Sequence, residues 1–530
     1  MKKLLVAIVA VMMLLTATAC KKTPKMAEDQ TLYMTFAQNN LKTNNDFLHP
    51  WQDGTILNSL IWRTLIKADE NLEAKKDDLM TNWKISEDGL TVTMELRDKQ
   101  YWSDGKPITM DDVMFTMNCW CNQYGTASWS YVRNGMKYIE GFDAYSKGEA
   151  DSVSGLIVDG NKLTIKLTTP YDSFLNLLCQ VAVLPVHIYG NVNLASFIGD
   201  DIWQELPCTS GMYKVTEHVQ GSYFILEPNE YYKDATPYIK KIVFNVTNDS
   251  SVSAQAGQCD YFQTDSADHY AVMSSLSDYT LHPVPVIYYR FLVFNLNDKD
   301  GNNKGIVSDP KIRQAFAYAI DWKSLIGGLY GDMASFTQAG VLSSSKYYAG
   351  DWYSYDPAKA KQLLQEANYD FDHELRIVYY YSDQTTKDVM DGIVYYLQQI
   401  GLKADAVYTT NTNNDIYGNK LQDAAYMGLS AYDNLSWYQM YKRAAMQGMW
   451  GEGYEKYVEK TNELEKAVTD SSYNEIIKTL QKWESEDVFF LPVYSLNYQS
   501  WVNNRVEIGD TKFGNGYFFY DYGFENWYIK

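Results

Sequence analysis

The chain has 530 residues and a mass of 60.9 kDa, a length that suggests roughly three to four domain-sized units rather than one core. Its formal net charge is −20 and it contains no long basic run, so a phosphate backbone would be repelled and nucleic acid is not expected as a partner. Aromatic residues reach 15%, with 45 Tyr and 14 Trp. Such side chains suit pockets for ligands of mixed polarity, although any single one is more often part of a core.

The first twenty residues, MKKLLVAIVAVMMLLTATAC, have the order of a bacterial secretion signal. Two lysines precede an apolar stretch at 4–15 that is too short to span a bilayer comfortably, and small residues then lead directly to Cys20. We expect a lipoprotein signal peptide over 1–19, a lipid-modified Cys20 and a polar tether over 20–30. The protein would then be anchored to the cell membrane on its extracytoplasmic face. A plain secretory peptide with an incidental cysteine is the alternative.

The remaining cysteines do not form a recognisable framework. They are Cys119, Cys121, Cys179, Cys208 and Cys259. Five is an odd number, so at least one thiol stays free or pairs between chains. Their spacing does not resemble a zinc site, and we interpret them as small buried residues.

The first elements along the chain are strands. Residues 31–39 alternate like a strand, and 82–98 alternate on both sides of an Asp-Gly turn, which predicts a hairpin.

The stretch YWSDGKPITMDDV then ends in two adjacent acids, Asp111 and Asp112, that could be a catalytic pair. No histidine is nearby, and Thr109 is placed to cap a helix with Asp112 as the capping-box acid. We therefore predict a helix start with a structural role for both acids.

The middle of the chain reads mainly as further strands. The alternating or apolar stretches are 161–170, 211–218, 221–228, 238–246 and a long one at 286–298. Two helices follow that each begin with an Asp-Pro pair, Asp309-Pro310 and Asp356-Pro357, in which the acid caps and the proline takes the first helical position.

The last third predicts a β-α-β order. Residues 375–382 read as a strand, 387–401 as a helix that ends at a glycine, and 402–409 as a second strand. This order predicts parallel pairing of the two strands. One long charged helix is expected at about 455–486.

A search for catalytic and metal-binding motifs leaves none to propose. No two of the six histidines are closer than thirteen positions, which excludes a short-spaced zinc helix but not ligands that converge from distant segments. No phosphate loop or nucleophile elbow is present. We therefore predict no catalytic residue, no metal and no cofactor.

Four segments in the same order resemble family 5 of the extracellular solute-binding proteins of bacterial ABC importers, the oligopeptide- and dipeptide-binding type. They are NWKISEDGLTVTMELRDKQYWSDGKPITMDDVMFTM (82–117), LPCTSGMYKVTEH (206–218), FNLNDKDGNNKGIVSDPKIRQAFAYAID (294–321) and YDPAKAKQLLQEANY (355–369). The resemblance implies an α/β fold, a two-lobed periplasmic-binding-protein-like clamp of type II, from the large cluster with an extra inserted domain. Lobe I would comprise 31–60, 195–287 and 503–530, the inserted domain 61–194, and lobe II 288–502.

The same resemblance implies a function and a set of partners. Such a protein is not an enzyme; it holds a solute between its lobes, which close by hinge motion, and docks on a membrane permease. We expect a monomer that captures a peptide or other small solute and delivers it to an ABC importer. The alternatives are a non-peptide solute such as an oligosaccharide or a metal complex, a sensor that signals to a partner, and an extracellular hydrolase with acidic catalysts.

The resemblance also implies ligand-binding residues. The segment 427–441 resembles the one in which peptide binders of this family place an Asp for the ligand's ammonium, and Asp433 falls at that position; the other interpretation is that it caps or braces a loop. Tyr432 and Trp437 are candidate pocket walls, with ordinary packing as the alternative. Some relatives place an Arg after the strand at 375–382 for the ligand's carboxylate, where this chain offers only Gln384 and Lys387.

Overall fold

The structure is a computed structural model that describes residues 26–37, 52–122, 131–171, 173–191, 208–219, 221–297, 304–420, 422–467 and 470–530. The strands are, in chain order, β1 (Thr31–Ala37), β2 (Ile66–Ala68), β3 (Ala74–Asp77), β4 (Met80–Ile85), β5 (Thr91–Leu96), β6 (Leu156–Asp159), β7 (Lys162–Lys166), β8 (Tyr213–Val219), β9 (Tyr223–Pro228), β10 (Lys241–Thr247), β11 (Tyr261–Thr264), β12 (Tyr279–Phe294), β13 (Ala334–Phe336), β14 (Glu374–Tyr379), β15 (Lys403–Tyr408), β16 (Ala424–Ser430), β17 (Phe490–Asn503), β18 (Val506–Glu507) and β19 (Tyr528–Ile529).

The α-helices are α1 (Gln52–Ile61), α2 (Met110–Cys121), α3 (Tyr131–Met136), α4 (Phe142–Ser146), α5 (Phe174–Leu178), α6 (Val186–Tyr189), α7 (Ser250–Gln255), α8 (Ala267–Met273), α9 (Pro310–Ala319), α10 (Trp322–Tyr330), α11 (Pro357–Glu366), α12 (Gln384–Gln399), α13 (Asn434–Tyr438), α14 (Ala444–Trp450), α15 (Glu455–Glu465) and α16 (Asp470–Asp487). Short 3₁₀ turns lie at Gly331–Met333, Gln439–Lys442 and Phe524–Asn526, and a π turn lies at Asn413–Gly418.

A mixed sheet of eleven described strands joins most of the chain. Its order is β15-β14-β16-β12-β17-β11-β1-β10-β9-β8, with β13 beside β17. β14 pairs in parallel with both β15 and β16, and β1 pairs in parallel with β10, whereas β12 and β17 are antiparallel. The parallel pairing predicted from the β-α-β order of the last third is therefore confirmed.

The two longest strands, β12 and β17, lie at the centre of this sheet. β12 pairs with β16 on one side and β17 on the other, and β17 also pairs with β11. Every residue of β17 except the last is buried, as expected for a strand covered on both faces. The predicted boundary between lobe I and lobe II, at 287/288, falls inside β12, so both lobes would share these two strands; the domain boundaries stay a prediction.

A separate antiparallel sheet, β4-β5-β7-β6, forms between residues 80 and 166, and it contains the predicted hairpin. α2 follows with Thr109 as its N-cap, and the Thr109 amide donates to Asp112 Oδ2 at 2.7 Å, which is the predicted capping arrangement. The buried Asp112 also accepts from the Val186 amide at 2.9 Å, while Asp111 is exposed. Both acids therefore occupy the structural positions expected for a helix start.

The Asp-Pro helix starts are also present, at α9 and α11. Asp309 accepts from the Lys311 amide and Asp356 from the Lys359 amide, each at 2.8 Å. The predicted single helix at about 455–486 is wrong, because the structure has two helices there, α15 and α16. The second begins at Asp470 in an Asp-Ser-Ser sequence, and these residue types favour a new N-terminus over an unbroken helix.

The five cysteines are buried, as interpreted from the sequence, and form no disulfide with one another. The signal peptide, Cys20 and most of the tether lie outside the described residues, so the predicted lipidation has no structural test here. Within the described ranges, no helix has the length and apolar character needed to cross a membrane.

Candidate functional site

Asp433 stands at the turn between β16 and α13 and is half-buried. It is the N-cap of α13: its Oδ1 accepts from the Ser436 amide at 2.9 Å and from the Ser436 hydroxyl at 2.7 Å. Its Oδ2 accepts from the Ser173 hydroxyl at 2.8 Å, 260 positions earlier in the chain. A carboxylate has about four lone-pair sites, so Asp433 can cap its helix and still accept another donor at Oδ2.

Tyr432, the neighbouring residue, makes a second contact with the same early segment. Its hydroxyl lies 2.8 Å from the carbonyl oxygen of Leu72 and 2.9 Å from that of Asn176, and its ring meets Phe518 edge-on with centroids 4.9 Å apart. Only 6% of the side chain is exposed, and burial raises the pKa of its hydroxyl well above the ordinary value. The structure thus brings Asp433 and Tyr432 together, at a contact between predicted lobe II, the predicted inserted domain and the C-terminal tail.

Trp437 lies elsewhere, in the hydrophobic core behind this contact. It is fully buried, and its indole meets the rings of Tyr289 and Phe291 edge-on at 5.0 and 5.1 Å. Its Nε1 donates to the carboxyl of Glu484. This position favours the packing interpretation of Trp437 over that of a pocket wall.

Glu484 is a buried acid that the sequence analysis did not single out. It lies on α16 and accepts hydrogen bonds from Trp437, from the Gly340 amide, and from the hydroxyls of Tyr438 and Tyr441. Burial raises the pKa of this carboxyl to about 7 in spite of these donors. A signal was present in the sequence, because Glu484 continues the spacing of the buried Ile477 and Leu480 on one helix face.

Gln384 and Lys387 are both exposed on the first turn of α12. Asp383 caps this helix by accepting from the Thr386 amide at 2.8 Å, and Gln384 donates to Asp388 at 2.8 Å within the same helix. The structure does not bring Gln384 into contact with Asp433 or Tyr432. Its role in binding the far end of a ligand stays a prediction.

Arg290, in the middle of β12, is a second buried charge that the sequence analysis missed. The guanidinium lies between the rings of Tyr288 and Tyr381, with its central carbon 4.3 and 4.2 Å from the two ring centroids. It is only 6% exposed. The sequence signal was a single cation inside the apolar run VIYYRFLVF, a position where a charge is normally excluded.

Two other clusters have simpler explanations. A cavity of about 50 Å³ lies beside the ion pair of Arg63 with Asp78 (2.6 Å) and is far smaller than a solute pocket of several hundred Å³. Donor atoms of Asp104, His187 and Cys208 lie within 4.8 Å of one another. Asp104 is already hydrogen-bonded to His187 at 2.9 Å, and burial raises the pKa of the Cys208 thiol to about 11, so this cluster is a hydrogen-bonded pair beside an inert thiol.

Comparison with known proteins shows that this chain is similar to bacterial solute-binding proteins. The model of the bacterial extracellular solute-binding proteins, family 5 (middle domain), matches residues 76–448. A Brucella ovis protein provisionally named an ABC transporter peptide-binding protein is 27% identical over 362 residues, which is 67% of this chain and 64% of that protein. The match therefore spans less than two thirds of the length of the relative.

Two solved structures share the fold. The ABC transporter substrate-binding protein CtaP from Listeria monocytogenes superimposes with a TM-score of 0.80 at 21% identity, over 95% of this chain and 100% of that one. NikZ from Campylobacter jejuni, in complex with Ni(L-His), gives a TM-score of 0.73 at 21% identity, over 95% and 100% of the two chains. At these identities the likeness shows the fold, a two-lobed α/β clamp.

Proposed function

Because this chain belongs to family 5 of the bacterial extracellular solute-binding proteins, a group that binds solutes rather than converting them, we propose that it captures a peptide between its two lobes and delivers it to the permease of an ABC importer. Lipid modification of Cys20 would keep the receptor beside that permease. The name of the Brucella ovis relative supports a peptide as the solute, and the chemistry around Asp433 supports it independently.

The observation that carries this proposal is the hydrogen bond from Ser173 to Asp433 Oδ2. It joins predicted lobe II to the predicted inserted domain, and the hydroxyl donor occupies a place that a ligand's donor can take. A peptide ammonium would replace this hydroxyl and form a charge-assisted hydrogen bond, which is roughly twice as strong as a neutral one. The other oxygen of Asp433 would continue to cap α13, so the carboxylate would be held in place for the ligand.

The first test identifies the solute. The mature chain, purified from its natural host, is analysed by native mass spectrometry and then denatured so that bound molecules are released. Peptides of mixed sequence are the expected result. A reproducible nickel complex or oligosaccharide would replace the peptide proposal and leave the family assignment intact.

The second test concerns Asp433 itself. Asp433→Asn keeps a capping oxygen but removes the charge, so the affinity for peptides should fall by about 2 kcal/mol or more in a calorimetric titration. Ser173→Ala is the matched control: it removes the competing donor and keeps the carboxylate, so peptides should bind as well or better. Acetylation of the peptide N-terminus should lower the affinity for the natural chain. The decrease should equal the one that Asp433→Asn causes with unmodified peptides. Unchanged affinity in Asp433→Asn would remove this residue from the site.

A further inference from the structure

The guanidinium of Arg290 is buried without a full set of hydrogen-bond partners. Nη2 donates to the hydroxyl of Tyr288 at 3.2 Å, but Nε and Nη1 have no partner within the described part of the chain. A buried charge is expensive unless it is paired, and most buried arginines donate to a carboxylate or to several carbonyl groups. Arg313 shows the usual solution in this same chain, since it donates to four backbone carbonyl oxygens.

The groups around Arg290 are tyrosines, which do not neutralise it. Tyr330, Tyr426 and Tyr494 face it from α10, β16 and β17, and their hydroxyls bond to one another. Burial raises the pKa of Tyr426 and Tyr494 above the ordinary value, so these hydroxyls stay neutral. These tyrosines therefore offer the cation polar but uncharged groups.

The backbone is shaped around Arg290. The register between β12 and β17 shifts on both sides of it, between Pro285 and Tyr289 and again between Arg290 and Phe291. Such bulges redirect side chains and are common beside binding sites. Opposite Arg290 on β16 lies Gly428, where a Cβ atom would come within 2.6 Å of Nη1 and would also collide with the Tyr381 hydroxyl. Only a glycine leaves the guanidinium in this position.

An acid of predicted lobe I, Asp265, interacts electrostatically with Arg290. Asp265 follows β11 and is half-buried; burial raises the pKa of its carboxyl, and the charge of Arg290 lowers it. The two groups are not paired, since neither Nε nor Nη1 of Arg290 reaches an acceptor. A cation from one predicted lobe and an acid from the other thus interact electrostatically without forming an ion pair.

We propose that Arg290 is the anion-binding group of the solute site and takes a carboxylate of the solute on its free N–H groups, between Tyr288 and Tyr381. The two rings fix the plane of the guanidinium, which leaves its donors oriented for a planar carboxylate. Asp265 would then face a cationic group on the same solute. This inference rests on the proposed function, because it assigns a chemical class to the captured solute, and the carboxylate can be a peptide C-terminus or that of another organic acid.

The test uses the mature chain and three probes: a pool of tripeptides with free C-termini, the same pool with C-terminal amides, and a mixture of succinate and glucuronate. Affinities come from calorimetry. The natural chain should bind the free-acid pool at least tenfold more tightly than the amidated pool, and in Arg290→Met that ratio should fall close to one. Arg376→Met is the matched control, because Arg376 lies on β14 of the same sheet and also carries an unpartnered Nε; it should keep the tenfold ratio.

A second readout separates ligand binding from a structural role. Without solute, Arg290→Met should unfold at the same temperature as the natural chain or higher, because the variant removes a buried charge that forms no ion pair within the described residues. A lower unfolding temperature together with an unchanged acid-to-amide ratio would overturn the inference. If Arg290→Met does not fold, Gly428→Ala provides the test, since it keeps the charge but displaces the guanidinium and should reduce free-acid binding at least tenfold.

The outcomes for the two proposals differ. Equal binding of free and amidated peptides would overturn the role of Arg290 and leave the peptide receptor standing. Binding of succinate or glucuronate alone, lost in Arg290→Met, would support the role of Arg290 and refute the peptide. Failure of all three probes to bind would overturn both.

Discussion

The buried carboxyl of Glu484 predicts that this protein becomes less stable as the pH rises from about 4.5 to neutrality. The side chain is 2% exposed, and its hydrogen-bond donors within the described residues are neutral: Trp437, Tyr438, Tyr441 and the Gly340 amide. Burial raises its pKa from the ordinary 4.5 to about 7. The folded protein therefore keeps a proton on Glu484 at a pH where the unfolded chain has already lost it.

The sign and size of the effect follow from this difference. Below pH 4.5 both states are protonated and the group contributes its full stability; between pH 4.5 and about 7 the unfolded state ionises first, so the free energy of unfolding falls as the pH rises. At about 1.36 kcal/mol for each pH unit, the loss reaches about 3 kcal/mol by neutral pH. Above about pH 7 the folded state ionises too, and no further loss is expected from this residue.

The assay is urea unfolding of the natural chain and of Glu484→Gln at pH 5 and pH 8. An amide cannot ionise, so the variant should lose less stability between the two values, by up to about 3 kcal/mol. Glu486→Gln, on the exposed side of the same helix, is the matched control and should follow the natural chain. The reasoning is refuted if Glu484→Gln is less stable than the natural chain by the same amount at both pH values, since that would mean an ionised carboxylate throughout.

Two further predictions concern other buried groups. Asp78→Asn removes one of the two carboxylates paired with the buried Arg63, while Asp234 remains, so the free energy of unfolding in urea should fall by about 2 kcal/mol, as for one hydrogen bond to a charged group. A loss below about 0.5 kcal/mol would show that Asp78 contributes little. Burial raises the pKa of the Cys119 thiol to about 12, so it should not react with a thiol reagent at pH 8 until the chain unfolds; rapid labelling of the folded chain would contradict this.

Much of the fold could be predicted because its signals are local. The Asp-Pro pairs at 309–310 and 356–357 and the capping box at Thr109 begin helices where expected, since the cap and the helix it starts are adjacent in sequence. The break before α16 was missed because amphipathic spacing persists on both sides of it. Strand order could not be predicted either, because β17 lies between β11 and β12 through contacts between residues roughly 200 or more positions apart in sequence.

The residues of the candidate site were harder to predict from the sequence than the secondary structure. Asp433 was found through a motif, but its hydrogen bond to Ser173 joins residues 260 positions apart and has no local pattern. Trp437 was named as a wall because of its residue type, whereas its burial depends on Tyr289 and Phe291 from a distant strand. Arg290 was passed over because one cation inside an apolar strand carries no periodicity from which a site can be predicted.

The two buried ionisable groups that the sequence did not reveal, Glu484 on α16 and Arg290 on β12, differ in one chemical respect that bears on function. Glu484 has no ion-pair partner among the described residues, but a carboxyl can take up a proton, and its raised pKa means that the neutral form is the one favoured by burial. Arg290 has no such route, because a guanidinium stays protonated at any physiological pH. Nε and Nη1 have no partner within the described residues, and Asp265 interacts with the charge without forming an ion pair, so a hydrogen-bonded counter-ion would have to come from a bound solute. A receptor that closes around a carboxylate gains this balance only when the solute is present, so the same unpaired charge that weakens the empty protein would favour its loaded form.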